Sequence, residues 1–276
     1  MKRQPIIRLI PAVILLASAA ALPCQAVVTL GTSSGMGIDI GISALSVADF
    51  DVGPLGTSSG SAPAPYSTGN SVATVNASAV LGNVAATDDG DGAINTSVSS
   101  NVNGTGGSRT ATGSSTINGL TINLVEGVVT DDLLNITSTT LGSTSASTGD
   151  IGALGSLGTS VFQDLNITVG GTAVYVDLDV SPAPNTILVN AGGVVGLTIV
   201  LNEQFATGDG INATGMTTNA LHVYLNGVNF NGVSAITGDI VVGQSTSTLQ
   251  AVPEPATATM GLLLGALALG RRRRGR

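Results

Sequence analysis

Asp177 and Asp179 stand two residues apart, and on a strand they would project from one face about 7 Å apart. That separation falls within the range of paired glycosidase carboxylates. A glycosidase cleft is also walled by aromatic platforms, and this chain has three Tyr, four Phe and no Trp. The pair therefore reads as the wet side of a sheet. Asp88, Asp89 and Asp91, set among glycines, offer the hard oxygen ligands that calcium prefers, without the further ligands or the closing glutamate of an EF-hand. A solvated acidic turn is the plainer reading of that loop. His222 is the sole histidine, so a histidine-rich metal site is excluded and any Ser-His-Asp triad must run through it. Gly-x-Ser-x-Gly occurs at Gly31 to Gly35 and again at Gly56 to Gly60, in Gly/Ser-rich loop sequence with no helical pattern after it. A nucleophile elbow needs a strand-to-helix turn, so His222 reads as a sheet histidine beside Tyr224. The expectation is a non-enzymatic chain with no cofactor, calcium at Asp88, Asp89 and Asp91 being the one metal its pattern suggests.

The elements around these residues are strands. Val174, Val176, Leu178 and Val180 alternate with Tyr175, Asp177 and Asp179, which predicts a core face and a wet face. This strand is the second arm of a hairpin whose first arm is Val161 to Val169, because Gly170-Gly171 supplies the positive φ angles of a tight turn. Ile38 to Ile42 and Ala220 to Leu225 also alternate, with Leu221, Val223 and Leu225 opposed to His222 and Tyr224. Val194 to Leu201 is almost wholly apolar, as in a central strand buried on both faces. Thr116 to Val125, Val128 to Thr137 and Asp239 to Val242 complete the clear strands. Gly53 to Gly69, with Pro54, Pro63 and Pro65, reads as loop or linker. Asn95 to Ser114 reads as a weakly packed strand or a mobile stretch, Ser138 to Leu157 is again rich in Gly, Ser and Thr, and Ser245 to Ala251 leads into the C-terminal tail. Short strands between turn signals predict an all-β, antiparallel β-sandwich-like domain. A parallel β-helix is the competing architecture, and no fixed short period supports it.

Charge narrows the partners. Residues 27–251 hold sixteen of the seventeen acidic residues and only one basic residue, Arg109, so this body carries about −15. A surface of that sign repels phosphate backbones, which excludes nucleic acid as a partner. Few charges and many valines argue against wholesale disorder.

The two ends carry addresses. Lys2, Arg3 and Arg8 precede an apolar stretch from Leu9 to Leu22, and Cys24-Gln25-Ala26 ends in the small residue that signal peptidase needs, which places cleavage after Ala26. Lipidation of Cys24 is the alternative, but Pro23 stands where that signal wants a small residue. Loss of Cys24 leaves a mature chain without thiols or disulfides. At the other end, Val252-Pro253-Glu254-Pro255 is followed by an apolar run from Ala256 to Gly270 and by Arg271, Arg272, Arg273, Arg274 and Arg276. Clustered arginine stays on the cytoplasmic side, leaving the body outside. As a helix the run reaches about 22 Å at ~1.5 Å per residue, short of a hydrocarbon core of about 30 Å. A helix this short suits a transit stop better than a lasting anchor. This tail resembles the PEP-CTERM sorting signal of Gram-negative bacteria. The resemblance implies processing by an exosortase near Pro253-Glu254-Pro255 and delivery to the cell surface or the exopolysaccharide matrix.

The body carries a second resemblance. Asn202-Glu203-Gln204, then Asn219-Ala220-Leu221-His222-Val223, then Asp239-Ile240-Val241-Val242-Gly243-Gln244-Ser245 are similar in order to the choice-of-anchor P family of bacterial surface proteins. That likeness implies an extracellular domain with an exchangeable attachment signal, and it implies no reaction. The expected organisation is a signal peptide at 1–26, a Gly/Ser/Thr/Asn-rich, partly mobile β region at 27–114, a β-rich surface domain at 115–250 and the sorting signal at 252–276 with its membrane helix at 256–270. The expected partners are signal peptidase, exosortase, the inner membrane and exopolysaccharide. The expected role is structural, with a polysaccharide- or calcium-binding adhesin-like module as the alternative.

Overall fold

The computed structural model describes residues 27–44, 49–79, 82–86, 92–124, 132–230 and 233–252. These form sixteen strands: β1 Val27–Ala44, β2 Asp49–Leu55, β3 Ser58–Ala62, β4 Tyr66–Val72, β5 Val75–Ala79, β6 Gly82–Ala86, β7 Ile94–Ser100, β8 Arg109–Leu124, β9 Leu134–Asp150, β10 Ala153–Gln163, β11 Leu165–Val169, β12 Thr172–Leu178, β13 Thr186–Val189, β14 Leu197–Gly208, β15 Ala213–Phe230 and β16 Val233–Val252. One short 3₁₀ turn, Ala191–Gly193, is the only helical element among the described residues. The fold is all-β and antiparallel. One sheet of seven strands runs β13-β14-β15-β16-β1-β2, with β3 also on β1; a second of nine runs β12-β11-β9-β8-β6-β5, with β10 on β9 and a β4-β7 pair on β8. No parallel pairing of the kind a β-helix requires occurs among these strands.

Residues 28–251 form one compact unit, and the division expected at 114/115 falls inside β8. The two ends of this unit are neighbours. Thr32 bonds Thr248 at 2.6 Å, Ser34 bonds Thr246 at 2.7 Å and Ser43 bonds Thr237 at 3.1 Å, so the first and last strands run antiparallel, side by side.

Each long strand has two halves of different chemistry. In the first, the inner faces meet through an apolar core: Ile38, Ile40 and Ile42 of β1, Ile117, Leu120 and Ile122 of β8, Leu134, Ile136 and Leu141 of β9, Leu197, Ile199 and Leu201 of β14, Leu221 and Val223 of β15, and Ile240 and Val242 of β16. Alternation at a two-residue period puts these side chains inward, and burying each stabilises by roughly 1.5–3 kcal/mol. In the other half the inward positions carry mostly hydroxyls and glycines, with Val98 of β7 and Met216 of β15 buried among them. Ser143 of β9 bonds Ser245 of β16 at 2.8 Å; Ser145 reaches Thr218 of β15 at 2.9 Å; Ser147 donates to the Ser247 carbonyl at 3.1 Å. Ser145, Ser147, Thr218, Ser245 and Ser247 are completely shielded from solvent. Beyond this seam a small apolar plug of Val28, Ala62, Val102, Ala111, Leu154 and Leu249 closes the far end.

Small residues let the two backbones approach. A Cβ on Gly113 would lie 2.4 Å from the carbonyl oxygens of Ser34 and Thr246, and one on Gly35 would lie 2.3 Å from the Ser114 carbonyl. Where the backbones come that close the inward side chains are hydroxyls, and there they must pair, because a buried unpaired polar group costs about 1–3 kcal/mol. The serine and threonine pairs across the seam meet that demand; Ser115 of β8 is an exception, a shielded hydroxyl with no hydrogen-bond partner.

The expected loop and two segments that the pattern left without a strand are therefore sheet. Gly53 to Gly69 contains the end of β2, all of β3 and the start of β4; Ser138 to Leu157 lies mostly in β9 and β10; Ser245 to Ala251 is part of the last stretch of β16. Asn95 to Ser114, expected as a weakly packed strand, supplies most of β7 and the start of β8, and Thr96 and Ala111 within it are buried. The hairpin at Gly170-Gly171 forms as expected, with φ of 54° and 72°. Its first arm is shorter than expected, because Asp164, at φ 50°, separates β10 from β11. Its apolar face is a core face only in part: Val174 packs against the core, but β12 is an edge strand whose register with β11 slips twice. Val176 is 63% exposed and Val180 66% exposed. Val195, also 76% exposed, precedes the buried run of β14, which begins at Leu197.

Candidate functional site

The change from apolar to hydroxyl chemistry is marked on the long strands by an irregularity that shifts the inward phase by one residue. Gly119 on β8 at φ 55°, Asn202 on β14 at φ 51° and Gly243 on β16 at φ 64° occupy left-handed conformations there. Pairing is interrupted at Ala220 with no change of register: Leu201 pairs with Leu221 and Glu203 with Asn219 on one side, and Asn219 pairs with Gln244 and Leu221 with Val242 on the other. A left-handed residue breaks the two-residue alternation of a strand and re-aims its neighbours. In this case it turns one set of polar side chains inward and another set onto the outer face of the seven-stranded sheet.

The inward set joins the two sheets. Asn202 Oδ1 accepts from the Ser160 hydroxyl of β10 at 2.9 Å and from Gln204 Nε2 at 2.8 Å, and Gln204 Nε2 also donates to the Gly158 carbonyl at 3.0 Å. The outer set centres on Glu203, which is only 6% exposed. Its Oε2 accepts from Asn219 Nδ2 and His222 Nδ1, each at 2.7 Å, and its Oε1 accepts from the Tyr224 hydroxyl at 2.6 Å. Gln244 Nε2 donates to Asn219 Oδ1 at 2.9 Å, and His222 Nε2 lies 3.3 Å from Asp239 Oδ2. The His222 and Tyr224 rings stack with centroids 3.8 Å apart and planes tilted by 31°.

Electrostatics follows from these contacts. Burial pushes the Glu203 pKa up, but the hydrogen bonds from His222, Tyr224 and Asn219 outweigh it and hold the carboxyl below its ordinary range. Burial, and then the bond to Glu203, push the Tyr224 phenol well up. Burial, and then the charges of Asp239 and Asp51, push Asp39 of the neighbouring β1 up. The outer face of this sheet is therefore acidic around a satisfied carboxylate.

The cluster has the groups of an acid-base site without its geometry. Both ring nitrogens of His222 face carboxylates, so neither is free to take a proton from a hydroxyl, as a nucleophile-activating base must. Two depressions among the described residues lie elsewhere, on the outer face of the nine-stranded sheet. One, of about 380 Å³, is lined by Thr121, Thr137, Thr139 and Asn166 among others, and one of about 460 Å³ by Ser71, Asn95, Ser97 and Thr116 among others. What the cluster does physically is fix register. It ties β14, β15 and β16 together where their pairing is interrupted at Ala220.

His222 is the buried sheet histidine beside Tyr224 that its alternation predicts. Its carboxylate partner Glu203 is not among the residues the sequence singles out as candidates. The signal for it is a charged residue directly after the apolar run Leu197 to Leu201 of β14, where Asn202-Glu203-Gln204 interrupts a buried strand. The two Gly-x-Ser-x-Gly copies are largely strand, not loop. Gly31 to Gly35 lies in β1 and pairs with β3, Ser33 opposite Gly60 and Gly35 opposite Ser58, so the end of the second copy faces the first. Ser33 bonds the Tyr66 hydroxyl at 2.8 Å, and no helix follows either copy. Asp179 is exposed and accepts from the Asp164 N–H at 2.8 Å, while the side chain of Asp177 lies outside the described residues. Asp88, Asp89 and Asp91 lie outside the described residues, as do Ala26, Pro253, Glu254, Pro255, Arg271, Arg272, Arg273 and Arg274. Val252 ends β16. Among the described residues no three His, Cys, Asp or Glu side chains are grouped to hold a metal, and no helix is long and apolar enough to cross a membrane.

Compared with known proteins, the chain matches no family model and no curated protein.

Proposed function

We propose that this chain is an exported, non-enzymatic surface or matrix protein of a Gram-negative bacterium, its two-sheet body a β-sandwich presented outside the cell. Signal peptidase cuts after Ala26. The tail then holds the body at the inner membrane until an exosortase processes it near Pro253-Glu254-Pro255 and passes it to the cell surface or the exopolysaccharide matrix. The observation that carries this reading is the order of parts at the C-terminus: Val252-Pro253-Glu254-Pro255, an apolar run too short for a comfortable span, and four consecutive arginines. The body is compatible with it. Its first and last strands are neighbours, so the chain enters and leaves at one end of one sheet, which suits a domain held by a single stalk. Its polar cluster reads as a register lock of a structural domain, in keeping with the choice-of-anchor P likeness of the same three segments.

The reading is tested by replacing Pro253, Glu254 and Pro255 with alanine in the native host and following the protein by fractionation and gel mobility. The variant is expected to accumulate in the inner membrane at higher mass, with its release lost. Unchanged size and location would overturn the reading.

A further inference from the structure

The end of the body from which the chain leaves has a composition of its own. Four connections meet there: 63–65 between β3 and β4, 101–108 between β7 and β8, 151–152 between β9 and β10, and 209–212 between β14 and β15. Register brings them to the start of β1 and the end of β16, with Ala62 opposite Gly31, Arg109 opposite Gly149 and Ala213 opposite Gln250. The Ile211 carbonyl accepts from the Gly152 N–H at 2.9 Å, and the Asn212 carbonyl accepts from the Ala251 N–H at 2.7 Å. The turn that carries Ile211 is therefore tied to the last residues of the body. Ile211 is 54% exposed, and Pro63, Ala64 and Pro65 are all exposed.

Charge is spread unevenly about this end. The four connections and the strand residues that border them hold only two of the sixteen acidic residues of the body, Asp150 and Asp209, together with its one cation, Arg109. Every other acidic residue falls elsewhere in the sequence. Both carboxylates here also serve their own turns. Asp150 accepts from the Ile151 N–H at 2.8 Å, and Asp209 accepts from the backbone N–H groups of Ile211, Asn212 and Ala213.

We infer that this end of the body is a membrane-docking surface, with Ile211 and the Pro63-Ala64-Pro65 connection resting in the headgroup region of the bilayer that the chain's own tail enters. The inference rests on the proposed reading of the tail as a membrane segment, and the docking lasts as long as the tail is retained. Three observations select a bilayer as the occupant. The first is reach. The apolar run begins at Ala256, four residues past Val252. An extended chain advances at most about 3.6 Å per residue, so an inserted tail keeps this end within roughly 15 Å of the bilayer surface. The second is apolar exposure at the point of reach, since a side chain such as Ile211 gains by leaving water for the boundary between headgroups and acyl chains. The third is charge. Acidic headgroups repel a body of about −15, and they repel it least at the end where Arg109 offsets one of only two carboxylates.

The chain has no tryptophan, so one substitution supplies a unique fluorophore. Full-length Ile211→Trp is reconstituted into vesicles of phosphatidylethanolamine and phosphatidylglycerol, with and without a lipid that carries a nitroxide just below its headgroup. The expected result is blue-shifted emission that loses intensity when the nitroxide lipid is present. Ala64→Trp, on a different connection of the same end, should respond in the same way and guards against a single variant that fails to fold. Val189→Trp, on the edge strand β13, which pairs with the opposite end of β14, should keep the emission of a water-exposed indole and its full intensity. Leu264→Trp, inside the apolar run, reads the tail separately and should be quenched by a nitroxide deep in the acyl chains. If Leu264→Trp is quenched while Ile211→Trp and Ala64→Trp behave like Val189→Trp, the tail is inserted and the docking surface is overturned. If Leu264→Trp escapes quenching, the reading of the tail falls, and the docking surface falls with it.

Discussion

Glu203 shows how much one residue can determine in this fold. Its carboxylate accepts three hydrogen bonds from three positions on β15, and each donor loses its partner if the acceptor goes. Glu203→Ala should therefore destabilise by about 2–4 kcal/mol, since bonds to a charged group are the strong class and the orphaned donors stay buried. Urea unfolding measures this, and a loss within error of zero would contradict the register lock. The pH dependence has a definite sign. Because the folded pKa of Glu203 lies below its ordinary value of 4.5, its stabilisation is complete above that value and disappears as pH falls through the lowered folded value. Melting temperatures of wild type and Glu203→Gln should differ most near neutrality and converge in strong acid. A gap that widened on acidification would refute the assignment. Asp209 is the exposed counterpart: its Oδ1 accepts from the backbone N–H groups of Ile211, Asn212 and Ala213, which hold its pKa well below the usual carboxylate range and fix the turn between β14 and β15.

At the scale of elements, the seam makes a prediction that an apolar core would not. Gly113→Ala forces a methyl against two carbonyl oxygens of the opposite sheet, and no flexible side chain is there to yield. It should destabilise by about 2 kcal/mol or more, the cost of overpacking. Gly41→Ala, where nothing lies within 4 Å of the added Cβ, should be neutral or slightly stabilising. Thermal melts of the two variants compare them directly, and equal effects would mean the sheets are not held this close. The same seam explains what could be read in advance and what could not. Ile38 to Ile42 and Ala220 to Leu225 alternate apolar with polar, so strand and inward face were both legible. In Ser143 to Thr148 the alternation is of serine inward with threonine or alanine outward, and hydropathy does not distinguish the two sides. Such segments look like loops because their inward residues pair through hydroxyls. Val174 to Val180 fails in the opposite way: its pattern is apolar, but an edge position leaves Val176 without a sheet to cover it. For the polar cluster, the three segments could be picked out one by one, but their meeting depends on the left-handed conformations of Asn202 and Gly243, which no local pattern announces.

At the scale of the whole molecule, the charge of residues 27–251, the adjacency of β1 and β16 and the composition of the two termini all bear on one proposal: a body built outside the cytoplasm and held, for a time, by its end. Mature protein recovered from the envelope or the medium of its native host and weighed intact by mass spectrometry tests this most directly. The account predicts a chain that begins at Val27 and ends near Pro253-Glu254-Pro255, without Arg271 to Arg276. A recovered chain that still carries its arginines, or still begins at Met1, would contradict it.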